Sequence, residues 1–107
     1  MLHLLRAHAE ELELYDDIYH WTPHTGLNVE VDYLLRRGQE MLAIEVKSQS
    51  RYHTAMLKGL RTLADLSGVV RRVLLYDGIR RFRTKDGIEI WPVEQFGTVL
   101  AEQNLWP

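Results

Sequence analysis

Apolar and polar positions alternate most sharply in "NVEVDYLLRR" (28–37) and "EMLAIEVKSQ" (40–49). Side chains at i and i+2 of a strand share a face. Val29, Val31, Tyr33 and Leu35 therefore oppose Glu30, Asp32 and Leu34, while Leu42, Ile44 and Val46 oppose Glu45 and Lys47. The "RRGQ" turn predicts that the two stretches pair as an antiparallel hairpin. "DIYHW" (17–21) is aromatic and β-branched, a third strand closed by Pro23 and Gly26.

Helical spacing takes over elsewhere. Leu2, Leu5, Ala9 and Leu12 predict a helix over 2–14. Met56, Leu57, Leu60, Leu63 and Ala64 predict another over 53–68, with Gly68 as its stop. "VRRVLLYDG" (70–78) reads as a strand, and "IRRFRTKDGIEIWPV" (79–93) as a small hairpin around Asp86-Gly87. Pro92 should stop the second strand of that hairpin or place it at an edge. A last helix over 93–104 carries Phe96 and Leu100. The order is α-β-β-β-α-β, then a β-hairpin and a helix. The expected fold class is α/β, an α+β domain with a mixed sheet spanning residues 1–107.

Composition narrows the class without naming a function. A chain of 107 residues with 46% hydrophobic and 26% charged residues suits one globular domain. No apolar run reaches the roughly 18 residues that cross a bilayer, and "MLHLLRAHAEELEL" is too acidic for a signal peptide. Without Cys there is no disulfide framework and no thiolate chemistry. A cytoplasmic protein with no membrane partner is the expectation.

The net charge of −2 conceals an uneven distribution. Residues 1–32 carry one base against seven acids, and residues 33–85 carry twelve bases against four acids. A basic middle of that kind is either a footprint for a polyanion or the solvated faces of a helix and two strands.

The candidate chemistry lies in the hairpin. Its strands are neighbours about 5 Å apart, so Asp32 and Glu45 converge if they share a side of the sheet, with Lys47 beside them. Two carboxylates that close repel, and each raises the pKa of the other. A hard divalent cation relieves the repulsion; Mg²⁺ favours one or two carboxylates with waters and phosphate oxygens. Lys47 would then orient water or neutralise charge on a phosphorane. The plainer alternative is a wet face on which Glu45 and Lys47 pair, worth under about 1 kcal/mol. Acids and Lys are depleted from strands, and three stand here among apolar neighbours, which favours the first reading.

"VEVDYLL…LAIEVKSQ" resembles the D…ExK signature of the PD-(D/E)XK nuclease superfamily, whose restriction-endonuclease-like core has the same predicted element order. The ordered set "IYHW", "EVDYLL", "IEVKSQ", "LKGLRTL", "VLLYDG" and "GIEIWPVEQF" is similar to the DUF4143-type C-terminal domain of prokaryotic AAA+ ATPases, over about residues 15–100. The resemblance implies a nuclease-like hydrolase of phosphodiesters. Asp32 and Glu45 would bind Mg²⁺ or Mn²⁺, and Lys47 would be the catalytic lysine.

It also implies a further acid from the first helix, for which Glu10, Glu11 and Glu13 are candidates, and Glu30 matches the E of E-V-D. Gln49, with Ser48 and Ser50, either contacts a scissile phosphate or ends the strand. Lys58, Arg61, Arg71 and Arg72 are the expected contacts to DNA or another nucleic acid. The chain has no Walker motif, so the expectation is the C-terminal piece of a longer chain whose ATPase domain is a natural partner. Surface left by that domain would favour a homo-oligomer. "WTPHTG" lacks the basic residue that follows Trp in the resembling group, and an acidic position there would precede Met1. The second class of function is therefore a catalytically inactive module for DNA or protein contact.

Two other signals change little. His20 and His24 are four apart, but Pro23 between them breaks the helix a metal pair would need. Arg80, Arg81 and Arg83 alternate with Phe82, either as a nucleic-acid surface or as the charges that protect an edge strand.

Overall fold

The computed structural model describes residues 15–21, 31–64, 66–102 and 104–107. The helix expected over 2–14, with Glu10, Glu11 and Glu13, lies outside them, as do Glu30 and His24.

Six strands form one mixed sheet: β1 (Asp17–Trp21), β2 (Val31–Arg37), β3 (Glu40–Lys47), β4 (Val69–Tyr76), β5 (Phe82–Arg83) and β6 (Glu89–Pro92). Their spatial order is β1-β2-β3-β4-β6-β5. The β1–β2, β2–β3 and β5–β6 pairs are antiparallel, whereas β3–β4 and β4–β6 are parallel. A 3₁₀ turn (Thr54–Leu57) and helix α1 (Lys58–Arg61) carry the chain from β3 to β4. A second 3₁₀ turn (Val93–Gln95) precedes helix α2 (Phe96–Ala101).

The hairpin forms as its pattern predicts. Arg37 pairs with Glu40 across a two-residue connection in which Gly38 has φ 64°, and the primed two-residue turns need a positive φ there. The predicted helix over 53–68 is much shorter than its apolar stripe. After α1 the amides of Thr62, Leu63 and Ala64 donate to carbonyls three residues back, and the Thr62 hydroxyl donates to the Gly59 carbonyl. Such bonds tighten the chain into 3₁₀ turns. The stripe still does its work, because Met56, Leu57, Leu60 and Leu63 are all buried. Likewise the helix expected over 93–104 is α-helical only across Phe96–Ala101. Pro92 ends β6 in the interior of the sheet, and β5 takes the edge.

Both faces of the sheet are covered. Leu35, Leu42, Ile44, Val73, Leu75 and Trp91 pack with Phe96, Val99 and Leu100 of α2 and with Leu105 and Trp106. Leu34, Ala43, Leu74, Tyr76 and Ile90 pack under Met56, Leu57, Leu60 and Leu63. Parallel strands buried on both sides read as continuous apolar runs, which is the character of "VLLY" in β4. No helix among the described residues is long and apolar enough to cross a membrane.

A candidate acid-pair site at the end of the central strands

β3 alternates Ala43, Glu45 and Lys47 onto the α1 side of the sheet, since Ala43 packs in the cluster under that helix. The last residue pair of the β2–β3 ladder is Tyr33–Ile44, and one step further Asp32 meets Glu45. Asp32 is fixed by the Val46 amide, which donates to its Oδ2 at 2.9 Å. The face predicted to be wet or functional is not wet. Glu45 is only 5% exposed, the sole charged side chain buried among the described residues.

That burial has an electrostatic consequence. Loss of water, the hydrogen bond with Asp32 and the charge of Asp32 push the Glu45 carboxyl up to about 8, while Lys47 pulls it partly back. At neutral pH Glu45 is therefore largely protonated and bonded to its neighbour. This is the cross-strand carboxyl pair anticipated from the hairpin, with one proton offsetting the repulsion.

Lys47 is half-buried and lies in register with Tyr76 of β4. It lines an open hollow of about 470 Å³ with Gln49, His53, Thr54, Ala55 and Met56. Gln49 is thereby placed beside Lys47, and its carbonyl accepts from the Asp77 amide. His53 is the site residue that the sequence pattern does not flag. It has no partner at metal-pair spacing, and only the return of the chain from β3 into the 3₁₀ turn brings it to the hollow.

The basic residues do not gather at Lys47. β4 runs parallel to β3 with Arg71 against Leu42 and Arg72 against Ala43. They therefore lie four or five residues, about 13–16 Å at 3.3 Å per residue, from the Lys47 end. Adjacent on a strand, they face opposite sides. Arg71 is committed to the fold: its Nε contacts Glu89 Oε2 at 2.6 Å, and its Nη1 donates to the Asn104 and Leu105 carbonyls. Arg61 pairs with Asp86 at 3.1 Å, and Lys58 is exposed on α1. The expected surface of Lys58, Arg61, Arg71 and Arg72 is thus not one surface.

Among the described residues no group of three or more His, Asp or Glu side chains could hold a metal ion. The donors on hand are two hard carboxylates, which fits Mg²⁺ or Mn²⁺ completed by water and substrate oxygens better than a closed protein cage.

No curated protein matches the chain. A family model described as a domain of unknown function, DUF4143, matches residues 1–96, a span that includes every strand of the sheet. The chain belongs to the DUF4143 family.

Proposed function

We propose that the domain hydrolyses phosphodiester bonds of nucleic acid in a metal-dependent reaction, with Asp32 and Glu45 as metal-binding acids and Lys47 as the catalytic lysine. The observation that carries this reading is the cross-strand acid pair, with Glu45 sealed from water and Lys47 on the same face beside an open hollow. A buried carboxyl held against another carboxyl is costly unless protonated or bound to a cation. Perturbed carboxyls of this kind cluster at functional sites. When bound, a divalent cation supplies Lewis acidity and lowers the pKa of its water. Glu45 would release its shared proton on metal binding, Asp32 would stay oriented by the Val46 amide, and Lys47 would offset negative charge on the phosphate. The hollow beside Lys47 gives the strand a place to approach, with Gln49 and His53 as polar contacts.

The strand arrangement supports a restriction-endonuclease-like fold: an antiparallel β1–β2–β3 meander, a helical crossover, and β4 parallel to β3. On that reading the domain is the C-terminal partner of an AAA+ ATPase. A second reading is a nuclease fold retained as a non-catalytic DNA or protein contact module, favoured by "WTPHTG", which lacks the basic residue that follows Trp in the resembling group.

Calorimetric titration of Mn²⁺ into the chain and into Asp32→Asn separates the two. The catalytic reading expects binding that Asp32→Asn abolishes and Mn²⁺-dependent cleavage of DNA that Lys47→Ala abolishes. Absence of binding in both proteins would sink it in favour of the contact module.

A further inference from the structure

The Asp86-Gly87 turn carries a second cluster of charge, reached from β4 by Arg72, whose register partner Ala43 lies two residues before Glu45. A Cβ placed on Gly87 would lie 3.6 Å from Arg83 Nη2 and 3.9 Å from Arg72 Nη2. The glycine thus leaves open the space onto which two guanidinium groups converge. A hollow of about 220 Å³ opens there, with Arg71, Arg72, Arg83 and Asp86 as its charged lining.

The pairing around it is unequal. Arg71 is neutralised by Glu89. Asp86 is neutralised by Arg61, which holds its Oδ2, while Thr84 donates to its Oδ1 at 2.6 Å. Both contacts keep the Asp86 carboxyl below its ordinary range, the Thr84 bond foremost. Arg72 has only carbonyl partners, those of Leu60 and Asp86, and a guanidinium has five N–H donors. Arg83 is exposed, and among the described residues no hydrogen bond or ion pair engages it. Among the described residues no carboxylate pairs with either guanidinium, and both have N–H groups to spare.

We propose that Arg72 and Arg83, across Gly87, form a binding site for a phosphate group. A tetrahedral oxyanion between them would accept charge-assisted bonds from both guanidinium groups. The Arg61–Asp86 pair keeps the turn in place without competing for the anion. The phosphate comes either from a nucleic-acid backbone or from a free phosphate. The site does not depend on the acid pair being catalytic, and its pairing of Arg72 with Arg83 excludes Arg61 and Arg71.

The test is fluorescence anisotropy of a labelled single-stranded oligonucleotide in EDTA. The chain is compared with Arg83→Ala and Arg83→Lys, and inorganic phosphate is titrated in parallel by amide NMR. The Arg83 side chain makes no hydrogen bond or ion pair among the described residues, and its backbone pairing with Glu89 survives substitution, so its variants should fold. Arg83→Ala should weaken oligonucleotide binding about tenfold and lower the salt slope by about one; Arg83→Lys should recover part of the loss. Phosphate should shift the Gly87 amide in the wild type but not in Arg83→Ala. A Gly87 shift without an Arg83-sensitive oligonucleotide would assign the site to free phosphate. Unchanged oligonucleotide binding in Arg83→Ala together with no Gly87 shift would overturn the proposal. The assay runs in EDTA, where no divalent cation occupies the acid pair, so failure of the metal-dependent reading leaves its outcome unchanged and the two failures are told apart.

Discussion

Glu45 is a carboxylic acid held where an apolar side chain would normally sit, and its proton makes that tolerable. In the unfolded chain the group returns to its ordinary value of 4.5, whereas in the fold burial and Asp32 hold it to about 8. Between those values the native state binds more protons than the unfolded state, so stability falls as pH rises through the window. One proton sets the limit of that slope at about 1.4 kcal/mol per pH unit. Glu45→Gln keeps the shape and removes the titration. In EDTA its urea midpoint should therefore decline less between pH 5 and pH 8 than that of the wild type, and should exceed it at pH 8. Equal slopes in the two proteins would show that Glu45 ionises normally. On the metal-dependent reading proposed above, Mn²⁺ should reverse the wild-type trend, because a metal ligand must be deprotonated.

Among the elements, the glycines at positive φ test how local geometry fixes the sheet. Gly38 turns β2 into β3 at φ 64°, and a Cβ there would meet nothing within 4 Å. Gly38→Ala should therefore cost only the left-handed backbone penalty, about 1–2 kcal/mol. Gly68 leads into β4 at φ 92°, and its Cβ would stand 2.9 Å from the Gln39 carbonyl oxygen. The Gly68 carbonyl also accepts from the Met41 amide at 2.7 Å. Gly68→Ala thus adds a backbone collision at the start of the β3–β4 pairing, and its loss in guanidinium unfolding should exceed that of Gly38→Ala. A smaller loss at Gly68 would mean that β4 can shift without strain. The hairpin and its turn were readable from "RRGQ" between alternating strands. The contraction of the 53–68 stripe was not, because the same apolar spacing serves an α-helix and a shorter series of 3₁₀ turns.

Across the whole molecule, the sheet separates two cores, and only the one beneath α1 touches the acid pair. Val99 on α2 is 4% exposed and packs on the far face. Val99→Ala should cost about 2 kcal/mol from lost burial and the cavity left behind, with Mn²⁺ affinity of the folded protein unchanged. Leu60 lies fully buried on α1 over the near face. Leu60→Ala should cost about 2–5 kcal/mol and, on the metal-dependent reading proposed above, also weaken Mn²⁺ binding, since Leu60 packs in one cluster with Ala43, two residues before Glu45 on the same face. Equal effects of both variants on Mn²⁺ binding would contradict this division.

The sequence by itself determined which residues alternate, where the glycine turns fall, and that Asp32, Glu45 and Lys47 sit among apolar neighbours in one hairpin. These are local consequences of a two-residue period and of backbone sterics. It also carried the ordered motifs that the family match spans. Only the tertiary structure decided that the Glu45 face is covered, because burial depends on where α1 returns over the sheet. It likewise brought His53 beside Lys47 and paired Arg71 with Glu89. Their neighbours in sequence are not their neighbours in space. The charges that remain uncompensated are those the fold leaves without a partner, and that accounting is possible only once distant acids such as Asp86 and Glu89 have been placed.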